Sequence, residues 1–214
     1  MSGLSRTALR EDVLSIAPRL LGAVLLHETE AGTVAVRIVE VEAYDGETDP
    51  GSHAFRGRTP RNAVMFEDAG LAYVYFTYGM HWCMNLVCGP PGRAAAVLLR
   101  AGEVVDGVAL AALRRGRSGV RDLARGPARL CQALGVDGSC NGADLISGGP
   151  LRLLSGAAVG GEHVRSGPRV GLSAAASRPW RFWVDGDPAV SAYRPHAPRR
   201  AQERGPTPPT MPAS

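Results

Sequence analysis

Residues 33–44, TVAVRIVEVEAY, alternate side chains with a period of two, the pattern of a β-strand with one face turned to a core. On the even parity Val34, Val36 and Ile38 give way to Glu40, Glu42 and Tyr44, so one strand face reads apolar at one end and acidic and aromatic at the other. Two carboxylates at the end of a buried strand need partners, because an unpaired buried charge is strongly unfavourable. The available cations are 24 basic residues, every one an arginine. The lack of lysine excludes a Walker A loop and leaves only the N-terminal amine for imine chemistry.

Around this strand the chain reads as short elements. Its 214 residues include 27 Gly and 16 Pro, about a fifth of the total, which predicts many turns. Residues 7–26 read as helical with a break at Pro18, and 45–62 as a loop containing His53 and the run RTPRN. Residues 71–77 and 81–87 read as two strands of a hairpin with its tip at Tyr78-Gly79-Met80, and 94–100 as a further strand ending in Arg100. Residues 106–115 and a segment opened by Gly126-Pro127 and closed by Gly135 suit helices, and 168–172 and 181–184 suit closing strands. Arg117, Arg121, Arg125 and Arg129 recur every four residues, either as a solvated basic face or as a phosphate-binding stripe.

The length suits one domain, and 45% hydrophobic residues are enough for a packed core. Cys83, Cys88, Cys131 and Cys140 form no C-x-x-C pair and read as reduced, buried thiols rather than metal ligands. No apolar run reaches the ~18 residues of a membrane span, and charges at Arg6, Arg10, Glu11 and Asp12 disfavour a signal peptide. The expectation is a cytoplasmic protein with no membrane partner, associated with the nucleoid if bacterial. Residues 1–100 carry 9 Arg and 11 acids, whereas 101–214 carry 15 Arg and 9 acids. A disordered Arg- and Pro-rich tail, 194–214, accounts for part of that excess. The net charge of +4 permits nucleic-acid binding without requiring it.

Candidate chemistry lies between positions 40 and 100. A carboxylate in an aromatic setting suits a general base that takes a proton from water, and tyrosines on a strand offer flat faces to a planar ligand. Each feature also has a structural reading. Glu40 and Glu42 can be salt-bridged to arginines, His53 can be a hydrogen-bonded loop residue, Tyr73 and Tyr75 can be packing residues, and Arg100 can be a strand-end charge.

The ordered strings IVEVEAY, RTPRN, YVYFTYGMHWCMN, AVLLRA, GPARLCQALG, PRVGLS and RPWRFWVDGDPAVS resemble the alkyladenine (3-methyladenine) DNA glycosylase family over about residues 8–193. The resemblance implies one α+β domain, 1–193, around a curved, mainly antiparallel sheet with a protruding DNA-inserting hairpin. It also implies a monofunctional DNA glycosylase of base excision repair. Such an enzyme flips alkylated purines such as 3-methyladenine and 7-methylguanine out of double-stranded DNA and hydrolyses them off, with deaminated and etheno purines as further candidate substrates. Residue by residue, it implies Glu42 as the base that activates water and Arg100 as its neighbouring cation. Tyr44 and Tyr75 become the walls about the extruded base, His53 and Asn85 its polar contacts, and Tyr78 the wedge inserted into the duplex. Neither cofactor nor metal is required, and the expected form is a monomer. Ala69, Trp82 and Arg129 depart from the family's usual residues, none at a proposed contact with the nucleotide.

Two other readings compete. A catalytically silent nucleic-acid-binding module on the same scaffold would keep the tyrosines without needing Glu42 and Arg100. A carbohydrate hydrolase could use Glu40 and Glu42 as an acid/base pair, since same-face residues two apart lie about 7 Å apart at Cα.

Overall fold

The computed structural model describes residues 4–77, 79–116 and 119–196; Tyr78, Arg117 and the tail from 197 onward lie outside them. Among the described residues the strands are β1 (Val24–Thr29), β2 (Gly32–Tyr44), β3 (Ala72–Thr77), β4 (His81–Val87), β5 (Ala96–Asp106), β6 (Leu151–Leu154), β7 (Val164–Gly167) and β8 (Arg181–Val184). The helices are α1 (Val13–Arg19), α2 (Val108–Arg115) and α3 (Pro127–Leu134). All eight strands join one sheet of order β3-β4-β5-β2-β1-β6, with β8 on β2 and β7 on β8, and every pairing is antiparallel. The mixed α and β class and the antiparallel sheet follow the expectation.

β2 is the hub. One edge pairs with β5, while the other is shared by β1 over residues 32–37 and β8 over residues 40–42. The β2–β5 ladder shifts register three times, and the two shifts around Glu40 compensate each other. Ile38 faces Gly102 and Glu40 faces Ala101, so Val39 is extra in β2; Val41 then faces Leu99, so Arg100 is extra in β5. A bulge of this kind re-aims side chains by letting two residues oppose one. As a result Val34, Val36 and Ile38 share the main core with Val41 and Ala43, across a change of parity. The expectation of one continuous face from Val34 to Tyr44 is therefore corrected. The bulge directs Glu40, Glu42 and Tyr44 away from the core that the even-numbered valines enter.

The same division runs through the neighbouring strands. Ala72, Val74, Met84, Leu86, Val97 and Leu99 enter the main core, where they meet Val13, Ile16 and Ala17 of α1, Ala111 of α2 and Leu130 and Leu134 of α3. Tyr73, Tyr75, Cys83, Asn85, Leu98 and Arg100 are left to the opposite side, where they line a cavity. The helix-covered face thus provides the hydrophobic stabilisation, about 1.5–3 kcal/mol per fully buried large side chain.

Local signals explain the helices. Asp12 caps α1 by accepting from Leu14 N–H at 2.9 Å, Pro127 opens α3 at a position whose N–H would be unpaired, and Gly135 closes it in the left-handed conformation. Helix does not run through 7–26 as expected. α1 stops at Arg19, and Gly22 turns the chain into β1 with φ +86°. A Cβ at Gly22 would also meet the Ala157 carbonyl oxygen at 2.1 Å. Residues 168–172, expected as a strand, form a loop after β7, and no continuous helix aligns Arg121, Arg125 and Arg129. The four cysteines are free and buried. Among the described residues no helix is long and apolar enough to cross a membrane.

Candidate active site

A cavity of about 330 Å³ opens on the face of the sheet away from the helices. β2 contributes Glu42 and Tyr44, β3 Tyr73 and Tyr75, β4 Cys83 and Asn85, and β5 Leu98 and Arg100; loops add Ser52, His53 and Val170. Its size falls at the lower end for small-ligand pockets. Glu42, Arg100, Tyr44, His53, Tyr75 and Asn85, singled out from sequence, all line it. Tyr78 lies outside the described residues.

Glu42 is fully buried, with donors fixed around its carboxylate. The Tyr44 hydroxyl donates to Oε2 at 2.8 Å, the Val170 N–H donates to Oε1 at 2.7 Å, and Arg100 Nη1 lies 3.4 Å from Oε1. Burial, and then the Glu42 charge, raises the Tyr44 phenol well above its ordinary value, so it stays protonated and donating. For Arg100 burial acts against the charge, and Glu42 and Glu40 outweigh it, leaving a guanidinium held firmly cationic.

Glu40 has a different environment. Arg100 Nε and Arg181 Nε donate to Oε1 at 2.8 and 2.7 Å, the Ser191 hydroxyl at 2.9 Å, and the Ser191 N–H donates to Oε2 at 2.7 Å. Burial pushes its pKa up, but Arg100 and Arg181 outweigh this and hold it below the usual carboxylate range. Glu40 does not line the cavity, so the pair cannot act together there as acid and base. The carbohydrate-hydrolase reading fails on this geometry, whereas the salt-bridge reading holds for Glu40.

The aromatic wall is ordered by β3, whose period of two puts Tyr73 and Tyr75 side by side with ring centroids 5.4 Å apart. His53 meets Tyr75 edge to face at 4.5 Å, and its Nδ1 lies 3.0 Å from the Tyr73 hydroxyl, leaving Nε2 for a ligand. The packing around His53 and then the nearby Arg61 lower its pKa, so the ring is neutral near pH 7 even though it stands at the open side of the cavity. Asn62 of the RTPRN run fixes this loop by donating from Nδ2 to the His53 and Gly57 carbonyls at 2.9 and 3.0 Å. Asn85 is buried and donates to the Tyr73 carbonyl at 3.2 Å, which sets its amide plane at the cavity wall.

Three contributors had no assigned role in the sequence reading. Tyr73 orients His53, and its spacing from Tyr75 was the available signal. The Val170 N–H reaches Glu42 from the loop that follows β7, and a backbone donor has no residue signature. Asp49 and Arg169 form a buried ion pair behind Tyr44. A second cavity, lined by Arg125, Arg129, Arg194, Asp122 and Ser191, shares Arg100 and Val170 with the first. The arrangement as a whole can hold a planar ligand against tyrosine faces and activate a water beside a fixed guanidinium.

A family model described as methylpurine-DNA glycosylase matches residues 7–188. A Streptomyces avermitilis protein named as a candidate 3-methyladenine DNA glycosylase is 57% identical over 92% of this chain and 94% of its own length. Similarly named proteins of Leifsonia xyli and Mycobacterium tuberculosis are 55% identical (89% of this chain, 92% of theirs) and 49% identical (91% and 95%).

Proposed function

The chain belongs to the methylpurine-DNA glycosylase family, and from that premise we propose that it releases alkylated purines from duplex DNA by direct hydrolysis, with Glu42 as the general base. The observation that carries this reading is the Glu42 carboxylate, held by Tyr44, Val170 and Arg100 on the wall of a tyrosine-lined cavity. The damaged nucleotide is turned out of the helix, and its base slots against Tyr44 and Tyr75 beside His53 and Asn85. Extrusion costs a few kcal/mol, least at a mispaired or damaged base, so selection begins before the cavity is reached.

In the chemical step Glu42 takes a proton from a water whose oxygen bonds to C1′ of the sugar. The glycosidic C–N bond breaks, and its electron pair leaves with the purine. A base already positive, such as 3-methyladenine, departs as a neutral molecule, and the aromatic faces favour its cationic form while it is bound. Arg100 stays cationic beside the carboxylate and orients it. Tyr78 is the wedge that fills the space left in the duplex. The second cavity, with Arg125, Arg129 and Arg194 beside Arg100, supplies positive groups for the flanking phosphates.

The test is base release from duplexes carrying 3-methyladenine, 7-methylguanine, hypoxanthine or ethenoadenine. Release of at least one by wild type and of none by Glu42→Gln is the expected result; equal release by both defeats the assignment. Borohydride added during turnover should trap no covalent enzyme–DNA adduct, since no lysine is available to form an imine. A trapped adduct would mean a lyase route. A catalytically silent DNA-binding module would release no base in either form.

A further inference from the structure

The Arg169 guanidinium is fully buried and does not touch the cavity, yet it contacts three elements that build it. Its Nη2 donates to Asp49 Oδ1 at 2.7 Å, and Nη1 donates both to the other Asp49 oxygen and, at 2.9 Å, to the Ala43 carbonyl. Its central carbon lies over two rings, 4.6 Å from the Tyr44 centroid and 5.1 Å from that of Trp180. Nε is the one buried side-chain polar atom without a partner among the described residues. Leaving such a donor unpaired costs about 1–3 kcal/mol, so the fork is aimed by its other contacts and not by its own full satisfaction.

These contacts converge on Glu42. Tyr44, whose hydroxyl donates to Oε2, has one ring face covered by Arg169. Val170, whose N–H donates to Oε1, is the next residue in the chain. Asp49 accepts from the Gly51 N–H at 3.0 Å through its carboxylate and from the Ser52 N–H at 2.8 Å through its carbonyl, in the turn that leads into His53. A Cβ at Gly51 would come within 2.8 Å of Arg169 Nη2, so this turn packs directly on the guanidinium.

Resting on the hydrolytic reading above, we propose that Arg169, paired with Asp49, is the positioning residue for Glu42 and for the Tyr44 wall. A single guanidinium sets both hydrogen bonds to the carboxylate and ties them to the loop that bears His53. A buried ion pair is a poor source of net stability, and well-packed apolar residues could fill the same volume. What apolar residues could not supply is a planar, bidentate group that holds an aromatic ring and two backbone segments at fixed angles.

The experiment compares wild type, Glu42→Gln, Arg169→Lys and Trp180→Leu, using the lesion duplex that wild type cleaves best. It reads the single-turnover rate at saturating enzyme separately from DNA affinity, with thermal melting recorded for each protein. Arg169→Lys keeps the charge facing Asp49 but loses the fork and the flat stacking surface. Its expected rate falls about 30-fold while DNA affinity stays within about threefold, a split that a merely destabilised protein would not show. Trp180→Leu keeps the Arg169 bonds to Asp49 and Ala43 but removes a ring that lies under both Arg169 and Arg178 and packs on the main core. It should slow the step about threefold at unchanged affinity, and it carries the test if Arg169→Lys does not fold. Wild-type rates in folded Arg169→Lys or Trp180→Leu, with Glu42→Gln inactive, overturn the positioning role and leave the hydrolytic reading intact. A parallel loss of rate and affinity that cooling restores also overturns it, by assigning the pair to stability alone. If wild type releases no base, or Glu42→Gln retains release, the hydrolytic reading itself falls and the positioning role falls with it.

Discussion

Glu40 and Glu42 leave the same strand two residues apart, and both are fully buried, yet they occupy opposite kinds of region. Around Glu40 the protein is closed, with two guanidiniums and the hydroxyl and N–H of Ser191 filling its acceptor positions. Around Glu42 the donors come from behind and from the side, and the residue also lines a cavity. Arg100 belongs to both regions, with Nε on Glu40 and Nη1 toward Glu42. Burial and residue type do not separate Glu40 from Glu42, the proposed base. What separates them is whether the set of donors is complete without a ligand.

The sharpest way to break this comparison is to neutralise each carboxylate in turn. Glu42→Gln should abolish detectable base release, a loss of about 10³-fold or more on the scale of a lost general base, while the fold and DNA affinity persist. Glu40→Gln should instead appear as lost stability, about 3 kcal/mol in denaturant unfolding, because Arg100 and Arg181 are left buried beside a neutral group. Its folded fraction should retain measurable base release, and a rate as low as that of Glu42→Gln would erase the distinction. Tyr44→Phe removes one donor from Glu42 and should slow release about tenfold, the value of a hydrogen bond to a charged group; single-turnover kinetics reads it.

The smallest effect is on the pH dependence of thermal stability, and it differs between the two regions. His53 has its folded value lowered, so the unfolded chain binds the proton more readily. Stability from its neutral form is present above the ordinary value of about 6.5 and declines as pH falls below it. Glu40 is a carboxylate lowered by folding, so its contribution is present above about 4.3 and is lost only as pH falls from there toward its lower folded value. Melting temperature against pH should therefore decline in two stages. His53→Asn should remove the upper, shallower one, and a single stage unaffected by that substitution would contradict the assignment.

Much of the site was legible in the sequence because its side chains lie on strands. The alternation of Tyr73 with Tyr75, and of Glu42 with Tyr44, determines which residues share a side, and the ordered motifs linked those sides into one pocket. The bulges were not legible. Periodicity within β2 puts Val34 and Glu42 on one face, and only pairing with β5 makes Val39 and Arg100 supernumerary. β1 was missed because VLLHET is short and follows an apolar helix with no break except Gly22. The loop at 168–172 resembles a strand in composition, but what it brings to Glu42 is the Val170 N–H, which any residue other than proline provides. The Asp49–Arg169 pair joins positions 120 residues apart, and no local pattern brings them together.

The matched bulges of β2 and β5 also tie the chemistry to the sheet itself. Glu42 is a rung of the central β2–β5 ladder and Arg100 is the bulge residue set between two of its rungs, so neither sits on a loop that could open while the core survives. Heat should therefore remove catalysis and tertiary structure in one cooperative step, and the backbone amides of residues 40–44 and 97–101 should be among the last to exchange their hydrogens with solvent.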